Sequence, residues 1–394
     1  MGRYPKRIVV VGASLAGLRS AEALRAEGFE GELVIVGEEP RRPYDRPPLS
    51  KALLAGTVEP GEIALREFRA IEAQWLLGDP AGRLDLAAGA VTTRSGRTVT
   101  FDRLLIATGS RPRRLPALDP GHAGVHELRT LDDALALRTG LRERPRLAIV
   151  GAGFIGTEVA STATTLGLEV EMISLDPPLA VAGAMVADFT ADLLSAHGVR
   201  LHVRRSVAAV EGNGRVERLI LDDGSHVESD LVLSAVGAAP ATDWLRGSGL
   251  QVDNGVVCDP WCAATGVPTV AAAGDVARWP NALFGPTPIR IEHWTNAGEQ
   301  ARVAAHTLIH GSGHGQPHRS VPSFWSEHFG VRLQSIGLPG LGDRFELLEG
   351  DPREQKFVAA ARRGGRLVGA VAYGMPRSLA LLRKQLEAST GRLP

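Results

Sequence analysis

Apolar positions along the chain fall into short continuous runs separated by segments of helical period, the pattern of strands buried on both faces of a parallel sheet. The first run, Arg7 to Val11, is β-branched and leads into Gly12-Ala13-Ser14-Leu15-Ala16-Gly17. The next segment, "LRSAEALRAEG", repeats its apolar residues at helical spacing, and "ELVIVGEE" is a second buried-strand run closing on Glu38. The order returns in "RLAIVGAGFIGTEVASTATTLGLEVEMISL", which predicts strand, glycine turn, helix and strand, with Gly151, Gly153 and Gly156 all present. Near the C-terminus, "KFVAAARRGGRLVGAVAYG" predicts an antiparallel hairpin and "SLALLRKQLEA" a closing helix.

Strand, tight glycine turn, helix and a carboxylate roughly 20 residues on make a dinucleotide site, because the helix N-terminus faces a pyrophosphate and the acid can bind ribose hydroxyls. In the first copy Ser14 replaces the middle glycine; its small hydroxyl side chain still permits fairly close approach of a phosphate. Two such turns imply two dinucleotides. Between them, "FDRLLIATGSRPRRLP" predicts a strand ending in Thr108-Gly109 with a Pro-punctuated exit, and "DLVLSAVGAAPATDWL" has the same form up to Pro240. Paired exits of this kind suit crossings between two domains. In "TVAAAGDVARWPN", Asp275 follows a small-residue strand and Gly274, placed to accept a hydrogen bond from the ribityl chain of a flavin, with a helix expected to start nearby.

Length and composition bound the picture further. A chain of 394 residues exceeds one hydrophobic core, so two or three domains are expected. A formal net charge of zero argues against a general nucleic-acid binder, so any partner must be recognised by local patches. The run "IVVVG" is too short to span a bilayer and flows into a glycine turn, so neither a membrane segment nor a secretory leader is read there, and a cytoplasmic location is expected. Cys258 and Cys262 are the two cysteines; they exclude a disulfide framework and fall short of the ligands for an iron–sulfur cluster or a structural zinc, so no metal site is expected. Spaced C-x-x-x-C, they read as buried thiols or as a redox pair.

With these elements in this order, the chain resembles the two-dinucleotide FAD/NAD(P)-dependent reductases over nearly its whole length. The stretches "RPPLSK" (46–51), "LRTLDDA" (128–134), "RIEHWTNAGEQA" (290–301) and "VPSFWSEHFGVRLQSIG" (321–337) are more narrowly similar to the ferredoxin reductases coupled to oxygenases and cytochromes P450. The resemblance implies an α/β fold of the glutathione-reductase kind, with two nested Rossmann-like domains. Residues 1–110 and 238–316 would bind FAD, residues 111–237 would bind NAD(P), and 317–394 would form a C-terminal α/β domain. It implies an NADH-dependent enzyme that passes single electrons to a [2Fe-2S] ferredoxin serving a P450 or Rieske oxygenase, as a monomer or weak homodimer. Flavoproteins of the apoptosis-inducing-factor kind share this outline, as do coenzyme-A disulfide and NADH oxidase-type reductases. The latter need a cysteine beside the flavin, where this chain has Arg46, Pro47 and Pro48.

By the same matching, Gly12, Ser14, Ala16, Gly17, Glu38, Arg46, Lys51, Ala107, Gly109, Arg129, Gly274, Asp275, Glu292, His293 and Trp294 are expected at FAD. Gly151, Gly153, Phe154, Ile155, Gly156, Glu158 and Gly237 are expected at the nicotinamide dinucleotide. Where the family commonly carries a ribose-binding Glu, this chain has Ser174, with Asp176 two residues on and no arginine beside it in sequence; NADH is the expected coenzyme. Reduced flavin gathers negative charge, so a cation is needed near its N5. Lys51 is the candidate, with Glu158 as its partner. Trp325 reads either as packing or as an aromatic between flavin and an incoming ferredoxin. A basic docking face is expected among Arg302, Arg362, Arg363, Arg377, Arg383 and Lys384.

Overall fold

The computed structural model describes residues 4–118 and 122–388. Its first unit is built on a six-stranded sheet in the order 263–264, 267–272, 103–106, 7–11, 32–36, 74–76. The strand Arg7–Val11 lies at the centre, paired in parallel with Glu32–Val36 on one side and Arg103–Ile106 on the other. Its side chains alternate between two cores, Val9 and Val11 on one face, Ile8 and Val10 on the other, which is why the run is apolar without a break. The helices Leu15–Ala26 and Trp294–His310 pack together over the second of these faces.

A second parallel sheet of five strands runs 200–203, 170–174, 147–150, 231–234, 125–126. The chain enters and leaves this unit side by side, through an antiparallel pair in which Ser110–Pro112 lies against Ala238–Pro240. The two exits read from glycine and proline therefore pair with each other.

The last unit is a five-stranded antiparallel sheet in the order 323–328, 331–337, 366–373, 356–363, 344–351, closed by the helix Leu379–Ala388. The expected hairpin is its Lys356–Arg363 and Arg366–Tyr373 pair. One face of the sheet places Leu333, Phe357 and Tyr373 in a common core with Leu179, Ala182 and Val186 of the second unit. Among the described residues, no helix is long and apolar enough to cross a membrane.

The segment after Asp275 departs from expectation. No helix starts there; Ala277–Pro280 is a strand, paired with Val256–Val257 and Pro288–Arg290. Trp279 is fully buried in that small sheet and Pro280 would end a helix at once, so the helix begins only at Trp294.

Candidate active site

Both glycine turns bring helix N-termini to one cleft of about 1140 Å³. Gly12 has φ +122°, and a Cβ there would stand 2.0 Å from the Ala107 carbonyl oxygen; at Gly151, with φ +106°, it would stand 2.2 Å from that of Ala235. Only glycine fits either place. Gly17 and Gly156 hold helix against strand, since a Cβ would strike the carbonyl oxygens of Gly12 and Gly151 at 1.9 and 2.1 Å. Gly153 differs: its φ is −78° and open space lies where a Cβ would point. Ser14 holds the equivalent place in the first turn, so the imperfect motif folds normally. The chain itself does not require glycine at the middle position.

Helices Leu15–Ala26, Phe154–Thr165 and Trp294–His310 begin at Ser14, Gly153 and His293, none of which caps through its side chain. Their first N–H groups are left for water or a ligand, and their dipoles favour an anion there. Leu15 and Ala16, Phe154 and Ile155, and Trp294 and Ala297 all line the cleft.

Charged residues of the cleft are held by one another. Arg46 donates to Glu39 at 2.6 Å and to the Arg129 carbonyl at 2.5 Å, while the Tyr44 hydroxyl donates to the other Glu39 oxygen at 2.5 Å. Burial pushes the Tyr44 phenol up, so it stays a neutral donor. Asp275 Oδ2 accepts from Arg129 at 3.0 Å and from the Ser110 hydroxyl at 2.9 Å. Glu38 is exposed, and Arg111 Nη2 donates to both of its carboxylate oxygens at 3.0 Å. Glu39, Tyr44 and Arg111 are cleft residues that sequence reading missed; Tyr44 and Glu39 flank a singled-out motif, but nothing in their spacing marks them as its clamp.

Lys51 lies between the 3₁₀ turn Pro47–Ser50 and the helical turn Ala52–Ala55, with its Nζ 2.5 Å from Glu158 Oε2. Ser50 donates to the same oxygen at 2.5 Å, and Ser326 of the C-terminal sheet donates to Oε1 at 2.6 Å. Glu158 is thus buried with both oxygens occupied. Behind Ser326, His328 Nε2 lies 3.2 Å from its hydroxyl and 3.0 Å from that of Thr157. All three units of the fold meet at this carboxylate.

Of the expected residues, Gly12, Ser14, Ala16, Glu38, Arg46, Lys51, Ala107, Gly109, Arg129, Phe154, Ile155, Glu158, Gly274, Asp275, Glu292, His293 and Trp294 line the cleft. Gly17, Gly151, Gly153, Gly156 and Gly237 do not; the first four belong to the two glycine turns, and Gly237 immediately precedes the strand Ala238–Pro240. Trp325 lines the cleft with its ring 6.1 Å from that of Trp294, edge to face. Of the expected basic face, Arg362 and Arg383 are engaged with Glu346 and Glu387, whereas Arg302, Arg363, Arg377 and Lys384 are exposed.

Ser174 ends its strand with the hydroxyl donating to the Asp176 carbonyl at 2.7 Å. Sequence proximity offered no arginine here, but the fold does: the Arg205 backbone N–H donates to the Ser174 carbonyl at 3.1 Å. The Arg205 guanidinium pairs with Asp223 at 2.6 Å; Arg204 is exposed, at φ +61°, without an ion-pair partner among the described residues.

The donor set suits a large polar cofactor. Trp244 Nε1, Arg290 Nε and His293 Nδ1 are buried without a hydrogen-bond partner, and all three residues line the cleft. Burial pushes the His293 pKa down to about 4, so its imidazole is neutral near pH 7. No cysteine lines the cleft. Cys258 and Cys262 are free, buried thiols; burial pushes Cys258 up to about 12 and Cys262 up as well, which leaves neither reactive.

Residues 6–301 match the family described as pyridine nucleotide-disulphide oxidoreductase, and residues 323–392 match the reductase C-terminal domain. The chain belongs to the pyridine nucleotide-disulphide oxidoreductases. This reductase is 35% identical to the ferredoxin--NAD(+) reductase subunit of the benzene 1,2-dioxygenase system of Pseudomonas putida, over 97% of this chain and 92% of that protein. It is 34% identical to rhodocoxin reductase of Rhodococcus erythropolis, over 96% and 89%. The crystal structure of a covalent putidaredoxin reductase–putidaredoxin complex matches it with a TM-score of 0.91 at 31% identity, over 98% of this chain and 93% of that one. The ferredoxin reductase for the CYP199A2 system of Rhodopseudomonas palustris matches with a TM-score of 0.91 at 29% identity, over 98% and 96%. A Bacillus anthracis CoADR-RHD at 17% identity shares the fold. As an FAD-dependent oxidoreductase, this reductase takes FAD and NAD(H) as its cofactors.

Proposed function

We propose that this reductase takes hydride from NADH onto FAD and passes single electrons to a [2Fe-2S] ferredoxin that serves a cytochrome P450 or a Rieske oxygenase. The observation that carries the reading is the Lys51–Glu158 pair, 2.5 Å apart, in a cleft lined by no cysteine. A disulfide reductase needs a thiol in this place; here electrons have no internal sulfur to reach. The ferredoxin systems in the names of the relatives and the putidaredoxin complex agree with it.

Residues 1–110 and 238–316 form the FAD-binding part, residues 111–237 the NAD-binding part, and 317–394 the C-terminal domain. FAD, when bound, supplies the exchange between two-electron hydride and single electrons. Uncapped helix N-termini at Leu15 and Trp294 would meet its phosphates and ring, and Asp275 would accept from its ribityl chain. Lys51 holds a positive charge where reduction adds a negative one, and Glu158 keeps that charge in place from the NAD-binding side. Trp294 is fixed by donating to Asp45 at 2.7 Å, and its ring meets that of Trp325 edge to face at this end of the cleft. The exposed Arg302, Arg363, Arg377 and Lys384 would steer an acidic ferredoxin through a small, salt-sensitive encounter.

Stopped-flow mixing with NADH should bleach the flavin absorbance, and a cognate [2Fe-2S] ferredoxin should restore it. Flavin that stays reduced in the presence of every ferredoxin tried overturns the reading and favours an NAD(H)-sensing flavoprotein.

A further inference from the structure

Helices Leu15–Ala26 and Trp294–His310 run side by side with their N-termini at the cleft, and at their far ends three metal-ligating side chains meet. Glu27 follows the first helix as its C-cap, and His306 and His310 stand one turn apart near the end of the second. One Glu27 oxygen lies 3.1 Å from His306 Nδ1, and the other lies 2.9 Å from His310 Nε2. The three ligand atoms lie within 4.8 Å of one another, the one such group among the described residues. Sequence reading found no metal site because Glu27 is 279 positions from His306 and the i, i+4 histidine pair alone carried no third ligand.

Geometry and electrostatics both favour a cation here. A tetrahedral metal with bonds of about 2.0–2.2 Å holds its ligand atoms roughly 3.3–3.6 Å apart, so the carboxylate–imidazole distances of 3.1 and 2.9 Å need only open slightly and the third, within 4.8 Å, need only close. Small side-chain rotations would convert these hydrogen bonds into coordination. The negative ends of two helix dipoles converge at this point, and a carboxylate is added to them, although an acid at a helix C-terminus is unfavourable by itself. The His306 ring is fixed from behind: Gly315 packs so closely that a Cβ would stand 2.7 Å from its Nε2, and Trp261 anchors that loop by donating to the Gly315 carbonyl at 3.2 Å. His306 therefore presents Nδ1 toward Glu27.

We infer that Glu27, His306 and His310 form a site for a divalent transition metal, Zn²⁺ in the first place, with a fourth position open to water. Two imidazoles and one carboxylate suit zinc and do not suit Mg²⁺ or Ca²⁺, which prefer oxygen shells. The ion ties the far ends of two helices whose near ends line the cofactor cleft. This inference does not depend on the electron acceptor.

Untagged holoenzyme is titrated with Zn²⁺ against a chromophoric chelator, and separately with Co²⁺ while its visible ligand-field bands are followed. The expected result is one equivalent per chain with a rise in thermal midpoint. Glu27→Gln, His306→Gln and His310→Gln should each weaken Zn²⁺ binding by at least about tenfold and remove the midpoint shift, with the rate of flavin bleaching by NADH unchanged. His310 is exposed, so its variant separates loss of a ligand from loss of folding. Absence of stoichiometric Zn²⁺ at ~10 μM, or undiminished binding by all three variants, overturns the inference.

Discussion

Ser326, on the first strand of the C-terminal sheet, donates its hydroxyl proton to Glu158 at 2.6 Å, across 168 positions of sequence. Through that carboxylate it reaches Lys51, so a residue of the last unit sets the position of a charge in the first. Ser326 is a positioning residue, and its loss frees one oxygen of a buried acid.

Ser326→Ala removes one charge-assisted hydrogen bond, worth about 1.5–3 kcal/mol, of which part is felt in hydride transfer. Flavin reduction by NADH should slow roughly three- to tenfold, with the KM for NADH little changed. Glu158→Gln should slow it further and leave Lys51 without its counter-charge. Stopped-flow bleaching at saturating NADH measures both, and a Ser326→Thr variant, which keeps the hydroxyl, should recover most of the rate. An unaltered rate in Ser326→Ala would reduce the contact to packing.

Much of the site was legible because dinucleotide turns are local. Gly12 and Gly151 announce themselves by spacing, and the strands around them by unbroken apolar runs. What was not legible depends on contacts between distant segments. Ser326 carries no local mark of a carboxylate partner, and Arg204 stands beside Ser174 only because two parallel strands end together. The strand after Asp275 was missed because Ala277 to Pro280 is too short for its period to tell strand from helix. The Glu27 cluster needs two helices to be placed side by side before it exists at all.

Coenzyme choice should respond to the strand end at Ser174. A Glu there would face a 2′-phosphate with like charge, whereas Arg204, exposed and without an ion-pair partner among the described residues, would attract it. Ser174→Glu should raise the NADH-to-NADPH ratio of kcat/KM by roughly ten- to a hundredfold, chiefly by suppressing NADPH. Arg204→Ala should lower activity with NADPH and leave NADH almost unaffected. Equal losses for both coenzymes in Arg204→Ala would place the arginine away from the ribose.

Acid should destabilise the fold through His328. Burial holds its pKa down to about 4, with Lys51 acting in the same direction and Glu158 opposing. Unfolded, the imidazole titrates near ~6.5. Below that pH the unfolded chain binds a proton that the folded chain refuses, so this stability is intact above about pH 6.5, falls as pH drops toward about 4, and levels off below it. The slope is about 1.4 kcal/mol per pH unit for one such group, and His293 and His318, also held down to about 4 by burial, act in the same window. Urea midpoints measured from about pH 7.5 to pH 5 should show the fall, and His328→Asn should make it shallower.

The two kinds of glycine in the turns should separate folding from binding. At Gly12 the backbone is left-handed and a Cβ would lie 2.0 Å from a carbonyl oxygen, so Gly12→Ala should cost at least about 3 kcal/mol and yield protein that loses its flavin. At Gly153 a Cβ meets no protein atom, so Gly153→Ala should stay within about 1 kcal/mol of the parent, as Ser14 already shows for the first turn. With the coenzyme's pyrophosphate at this turn as proposed, the added methyl group would stand in its path, so the KM for NADH should rise roughly tenfold while the flavin spectrum is kept. Thermal midpoints, flavin content and steady-state kinetics on the two variants test this together. A Gly153→Ala enzyme that binds NADH normally would show that the second turn does not hold the coenzyme's phosphates.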